Sequence, residues 1–270
     1  MIVPMVHDDV VESGRADPAR SVLGRALAVP DSFSDERPEQ TLGAVAEQTG
    51  RPSATTYRLV NELVTWGALE RVGRGRYRTG LRLWHLGSLA PEARALRDVA
   101  LTFLHDLLEV THEVAHLAVR DGYRVLYLER LMARPEVHVR SRVAPRLPLH
   151  ATGPGKILLA HAPDDVVAHV LAGPLPRLAR NTITDPDVLH DALAAIRDSG
   201  YCISREETTD GASSVAAPVR GPGGDVVAAI SVVVPAGRPD LAALVPAVRV
   251  AAVGITRGLR PRTPHRHSPT

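Results

Sequence analysis

Residues 41–82, TLGAVAEQTGRPSATTYRLVNELVTWGALERVGRGRYRTGLR, fall into three successive patterns of apolar and polar positions. Leu42, Val45 and Ala46 recur at helical spacing behind Thr41, which can cap a helix, and Gly50 breaks the run. A second helical pattern starts at Arg51-Pro52, where proline is tolerated because a first-turn N–H is unpaired anyway. Thr56, Leu59, Val60, Leu63 and Val64 form its inner face, and Ser53, Ala54, Tyr57, Arg58 and Asn61 its outer face. From Gly67 to Thr79 the chain reads as a hairpin, ALERV-GRG-RYRT, with Arg74 and Arg76 at its tip. Helix, glycine turn, helix and hairpin in this order predict a winged helix-turn-helix. Small residues at the start of the second helix let a backbone approach a groove, and hydroxyls and Arg suit phosphates and base edges. Arg51, Ser53, Thr55, Tyr57 and Arg58 on the helix, with Arg74 and Arg76 on the wing, are the candidate contacts to double-stranded DNA. The competing readings are a small helical subdomain with an accidental Arg cluster, and a hairpin that contacts protein.

The pattern divides the rest of the chain. Residues 1–18 mix acids, Gly and Pro and are expected to be disordered. Ser21–Val29 has helical spacing with Ser21 as its cap, and Asp31–Pro38 is a polar loop, so the DNA-binding domain spans 19–80. Leu83, Leu86 and Leu89 beside Trp84 form an apolar stripe on a linker helix within 81–93. That stripe is too rich to stay exposed, so it packs on its own domain or makes a dimer contact. Ala93–Thr111 is helical. Residues 94–260 then mix strands and helices: alternating runs at Glu113–Val119, Arg124–Leu128 and Glu136–Val143, with an Asp121-Gly122 turn between the first two. Helices are expected at Gly153–His161, Pro163–Ala172 and Asp187–Ser199, strands at Ser214–Val219 and Val226–Val234, and a closing helix at Leu241–Leu259. Residues 261–270 are a Pro/His/Arg tail. The fold class is α+β, a winged helix-turn-helix joined by a linker helix to an α/β domain.

Composition narrows the partners. A chain of 270 residues suits about two domains. The net charge of +2 says little, but residues 37–82 hold eight Arg against four Glu, a local surplus suited to a phosphate backbone. Lys156 is the only lysine among 32 basic residues. The single cysteine, Cys202, excludes an intrachain disulfide and fits a reducing cytoplasm. The longest apolar run, Val226–Pro235, is far short of the roughly 20 residues of a membrane span. The acidic, Pro-interrupted N-terminus is no signal peptide. A cytoplasmic protein with no membrane partner and no cofactor is expected.

At this point the chain resembles the IclR family of bacterial transcriptional regulators, from about Ser21 to Leu259. Besides the winged helix and linker, the resemblance rests on VAHLAVRDGYRVLYLERL (114–131), RSRVAPRLPLHATGPGKILLAH (140–161), NTITDP (181–186), GYCISREE (200–207) and SSVAAPVRGPGGDVVAAISV (214–233). It implies a dimer or tetramer on a palindromic operator. It also implies a GAF-like C-terminal domain in which a small-molecule effector alters DNA affinity. Carried over by motif, the effector site comprises Leu147, Gly153, Pro154, Ser204, Ser214, Ser231 and Val233. Ser204 stands where the family often has Asp, Ser214 where it often has Cys, Val233 where a polar residue often follows, and Pro154 where Ala or Leu is common. These departures lower the site's charge and polarity and point to a larger or more neutral effector than a small carboxylate.

Other motifs compete for attention. His112-Glu113-Val114-Ala115-His116 spells the HExxH of zinc proteases, but that chemistry needs both His on one helical face. In a strand His112 and His116 lie roughly 13 Å apart, too far to share one zinc. Gly153-Pro154-Gly155-Lys156 lacks the Gly and Ser/Thr of a phosphate loop, which leaves Lys156 as a helix-start residue. Glu206-Glu207 reads as loop acids paired with Arg205 or Arg220 rather than as a catalytic pair. Cys202 reads as a small core residue before an oxidant sensor. His265 and His267 belong to a solvated tail. The alternatives to a regulator are an enzyme acting on a small metabolite, which turnover by residues 94–260 would reveal, and a DNA-independent interaction module, which footprinting would separate.

Overall fold

The computed structural model describes residues 21–34, 37–132 and 146–260. The described chain divides into two compact units, with the boundary between Ala90 and Pro91. The strand expected at Glu136–Val143, the N-terminal segment and the tail with His265 and His267 lie outside the described residues.

In the first unit, α1 (Val22–Asp31) is capped by Ser21, whose hydroxyl accepts from the Gly24 N–H at 2.8 Å. Thr41 caps α2 (Leu42–Thr49) in the same way, and Gly50 ends it in the left-handed region at φ 63°. The next helix, α3 (Ser53–Trp66), begins one residue later than expected: Pro52 is its N-cap and not its first helical residue. Its buried positions are Thr56 and Val60, with Leu59, Leu63 and Val64 packed around Val29, Val45, Leu69 and Tyr77. The wing is a pair of antiparallel strands, β2 (Leu69–Val72) and β3 (Arg76–Thr79). A short strand that the sequence pattern did not predict, β1 (Glu39–Thr41), pairs with β3 and completes a three-stranded sheet in the order β1-β3-β2. Three residues are too few to show a period, so only the partner strand makes it visible. The linker helix α4 (Leu81–Ser88) buries none of its residues: Leu81 is 76% and Trp84 72% exposed. Among the described residues, most of the apolar stripe is left exposed and only Leu83 is half-buried.

The second unit starts with α5 (Pro91–Thr111), which buries Leu96, Ala100, Leu104 and Leu107. A six-stranded antiparallel sheet follows, in the order β6-β5-β4-β9-β8-β7. Its strands are β4 (Val114–Asp121), β5 (Arg124–Leu131), β6 (Arg146–Pro148), β7 (Cys202–Arg205), β8 (Ala212–Arg220) and β9 (Val226–Pro235). Gly122, at φ 59°, makes the turn expected between β4 and β5. Because side chains alternate across a strand, the sheet feeds two cores. Leu117, Val215, Ile230, Val232 and Val234 pack with α5 and α9 (Val245–Gly258) on one face. Ala118, Val125, Tyr127, Ala216 and Ala229 pack on the other face with α6 (Gly153–Ala160), α7 (Asp164–Ala172) and α8 (Pro186–Ser199). Asp185 caps α8 through the N–H groups of Asp187 and Val188. The closing helix begins later than expected, because Ala242–Leu244 forms a separate 3-10 turn. The sheet edge at β6 and the 3-10 turn Leu149–Ala151 were also not predicted.

Candidate functional site

The exposed face of α3 presents Ser53, Ala54, Tyr57 and Arg58, while Thr55 and Arg51 are half-buried. Tyr57 keeps 51% of its surface exposed. On the inner side Thr56 is fully buried, and its hydroxyl donates to the Pro52 carbonyl at 3.2 Å, which satisfies the hydroxyl within its own helix. Most arginines around this face are already held. Arg71 donates to Asn61 Oδ1 at 2.9 Å and lies over the Tyr77 ring. Arg78 donates twice to Glu70 Oε2, at 2.9 and 2.8 Å. Arg82 donates to the Trp66 carbonyl at 2.9 Å, with its guanidinium 4.4 Å from the Trp66 ring centre. Arg76 is the first residue of β3, not the wing tip, and donates to the Glu39 carbonyl at 3.2 Å. Arg74 is at the tip, where Arg74 (φ 64°) and Gly75 (φ 74°) turn the chain in the left-handed region. Of the residues expected to touch DNA, Arg58 and Arg74 are exposed arginines with no ion pair among the described residues. They can meet phosphate or a base edge without giving up an existing contact.

In the second unit a cavity opens between the start of α6 and the sheet, with an empty volume of about 380 Å³, part of it open to solvent. Eight of the residues that line it carry hydroxyls: Tyr127, Thr152, Ser204, Thr208, Thr209, Ser213, Ser214 and Ser231. Gly153, Pro154, Ala212 and Val233 complete the wall, and none of the lining side chains is charged. The start of α6 reaches this wall because Gly153 and Gly155 have no side chain. A Cβ on Gly153 would sit 2.6 Å from Ser214 Oγ, and one on Gly155 2.3 Å from the Leu149 carbonyl. Thr152 caps the helix through the Gly155 N–H at 2.9 Å. The hydroxyls of Ser231 and Thr209 are buried and make no hydrogen bond among the described residues.

Beside the cavity lies a buried ion pair. Lys156 Nζ donates to Glu207 Oε1 at 2.5 Å, and Ser204 Oγ donates to the same oxygen at 2.9 Å. Lys156 and Glu207 are both buried. The expected partners of the two loop acids are therefore wrong. Glu206 pairs with Arg180, and Glu207 with Lys156, because the segment after β7 folds back over α6 and not toward Arg205 or Arg220. Lys156 does lie at the start of α6, as expected, and its side chain is buried there. Cys202 is buried in the adjacent core, and burial pushes its thiol up to about 11, which disfavours an oxidant-sensing thiolate.

Comparison with known proteins identifies both units. Residues 22–73 match the IclR helix-turn-helix domain, and residues 90–257 match the C-terminal domain of bacterial IclR transcriptional regulators. The chain belongs to the IclR family. The HTH-type transcriptional regulator BhcR of Paracoccus denitrificans is 33% identical over 245 residues, 89% of this chain and 88% of that protein. The Pca operon regulatory protein of Acinetobacter baylyi is 33% identical over 224 residues, 80% of this chain and 79% of that protein. A crystal structure of an IclR homolog complexed with 4-hydroxybenzoate, from Microbacterium hydrocarbonoxydans, is 38% identical with a TM-score of 0.82, covering 88% of this chain and 99% of that one. The protein is thus a transcriptional regulator with a helix-turn-helix DNA-binding domain and a ligand-binding C-terminal domain. Its named relatives are regulators, not enzymes.

Within this IclR-family domain, Gly153, Pro154, Ser204, Ser214, Ser231 and Val233 line one cavity. Leu147 does not: it sits on β6 at the far edge of the sheet, pairs with Val125 and packs into the core. Tyr127, Thr152, Thr208, Thr209, Ala212 and Ser213 line the cavity without having been singled out from the sequence. HExxH is not a metal site. His112 follows α5 in the left-handed region at φ 55°, His116 lies in β4, and no metal-binding cluster exists among the described residues.

His116 instead is a buried neutral group. It packs edge-on against Tyr127 at 5.0 Å, and burial, with a smaller effect of the Arg130 charge, lowers its pKa to about 3. Its unfolded value is 6.5, so between pH 3 and 6.5 the unfolded chain binds the extra proton and stability falls as pH falls. His150, also lowered mainly by burial, acts in the same direction. Between pH 6.5 and 5 the His116 contribution is expected to remove on the order of 2 kcal/mol. Urea unfolding of wild type and His116→Gln across this range checks it, with a flatter dependence expected in the variant. Equal slopes would contradict it.

Proposed function

We propose that this regulator binds a palindromic operator as a dimer or tetramer, and that a ligand in the hydroxyl-lined cavity changes its affinity for that operator. Ser53, Thr55, Tyr57 and Arg58 enter the groove, and Arg74 carries the wing onto the flanking backbone, with Arg51 and Arg76 as supporting phosphate contacts. The exposed Leu81, Trp84, Leu86 and Leu89 of α4 supply a self-association face, since an apolar stripe of this kind rarely stays in water. Among the described residues no helix is long and apolar enough to cross a membrane, and we place the protein in the cytoplasm, with its DNA.

The observation that carries the effector reading is a wall of eight hydroxyl residues with no charged side chain, around the cavity between the start of α6 and the sheet. Such an uncharged wall favours a polar ligand held by hydrogen bonds over a two- or three-carbon acid, whose charge it does not match. The homologue crystallised with 4-hydroxybenzoate offers a first probe. Calorimetry on the full chain is expected to show glyoxylate and pyruvate binding weakly or not at all. Tight binding of either overturns the neutral-effector reading.

A further inference from the structure

We propose that Ser204, whose proton is held by Glu207 behind the wall, is an acceptor-only point of the effector cavity, so that the effector carries a hydrogen-bond donor, a hydroxyl or an N–H, where it meets Ser204. This inference rests on the reading of the cavity as the effector site.

A serine hydroxyl has one proton and two lone pairs. Ser204 gives its proton to Glu207 Oε1, an oxygen that also accepts from the Lys156 ammonium. An ionised carboxylate can only accept, so the direction of the Ser204 bond is fixed. What Ser204 offers the cavity it lines is therefore lone pairs alone. The second oxygen of the same carboxylate, Glu207 Oε2, is buried and makes no hydrogen bond among the described residues. Glu207 does not line the cavity, so Ser204 alone presents this acceptor there, and a ligand donor satisfies it. The hydroxyls of Ser231 and Thr209 remain able to donate, so the ligand's own acceptors have partners elsewhere on the wall.

The cation that fixes this polarity is the only lysine in a chain that otherwise uses arginine. A compact ammonium fits between the first turn of α6 and Glu207, where a planar five-donor guanidinium would demand more acceptors than Ser204 and one carboxylate supply. Ser204 is then a specificity-determining residue, and Lys156 a positioning residue that acts through Glu207.

The test uses matched ligand pairs on the full-length protein, each pair differing only by methylation that removes the donor hydrogens. 4-Hydroxybenzoate against 4-methoxybenzoate and 4-aminobenzoate against 4-(dimethylamino)benzoate are the aromatic pairs, and 4-hydroxybutyrate against 4-methoxybutyrate the aliphatic one. Affinity is read by calorimetry. Because Lys156 is the sole lysine, ¹⁵N-lysine labelling gives a single side-chain ammonium signal beside the site. At least one donor-bearing member is expected to bind tenfold or more tightly than its methylated partner and to shift the Lys156 signal. Ser204→Ala is expected to reduce that preference to threefold or less. Binding that Thr209→Phe blocks, but without any preference for the donor-bearing member, overturns the acceptor-end proposal and leaves the effector-site reading intact. A preference that survives Ser204→Ala with an unmoved Lys156 signal also overturns it. If no member of the panel binds in a way that Thr209→Phe blocks, the effector-site reading fails and this inference with it.

Discussion

Lys156→Met is expected to lower the unfolding free energy of the C-terminal domain by about 3–5 kcal/mol, because it leaves the Glu207 carboxylate buried with no cation beside it. The pair is enclosed on both sides and its shared oxygen also binds Ser204, so solvent cannot take over the role of the ammonium. The double variant Lys156→Met with Glu207→Leu is expected to recover most of the loss, because an apolar pair of similar volume replaces the ion pair without an unpaired charge. Both tryptophans, Trp66 and Trp84, lie in the N-terminal unit, so far-ultraviolet circular dichroism and not tryptophan fluorescence must follow this unfolding. A single variant as stable as wild type, or a double variant as unstable as the single, contradicts the account of the pair.

The same pair shows where sequence reading stopped. Helix ends were legible where their signals are local: Ser21 and Thr41 at the starts, Gly50 at an end. The wing was legible because GRG between alternating runs is a turn written in adjacent residues. The Lys156–Glu207 bond spans 51 positions and nothing near either residue announces it. The one available hint was the lone lysine in an arginine-rich chain, which composition alone could not place. The cavity behaves likewise. Ser204, Ser214 and Ser231 came from motif resemblance, and strand register brings them side by side, with Ser204 opposite Ser214 and Ala216 opposite Ser231. Tyr127, Thr152 and the Thr208–Ser213 stretch join the wall only once α6 docks on the sheet. Leu147 was misplaced because its neighbours along the chain reach the cavity while its own strand turns to the opposite sheet edge. The partners of the arginines near α3 were equally invisible. Eight Arg against four Glu predicted a basic face, but not that Glu70, Asn61, Glu39 and Trp66 hold four of those arginines.

That occupancy sharpens the second large expected effect. Arg58→Ala is expected to weaken operator binding by on the order of 1–3 kcal/mol and to relax the base preference at one position of each half-site. Arg58 is exposed on α3 and, among the described residues, carries no ion pair that its removal would strand, so the expected loss is a DNA effect and not a folding effect. Arg74→Ala on the wing tip is expected to weaken operator and random DNA alike and to reduce the salt dependence by about one counterion, as a phosphate contact does. Arg78→Ala is expected to act differently, loosening the wing through Glu70. Equal losses on operator and random DNA for Arg58→Ala would reduce it to a phosphate contact.

The most direct measurement for the central claim is selection of bound sequences from random DNA by the full-length protein, repeated with a metabolite panel that includes 4-hydroxybenzoate. An inverted-repeat sequence is expected to be enriched, with its affinity shifted at least tenfold by a compound whose effect disappears in Thr209→Phe. Enrichment of no sequence, or an affinity that no compound moves through this cavity, would contradict a ligand-responsive regulator built on these two sites.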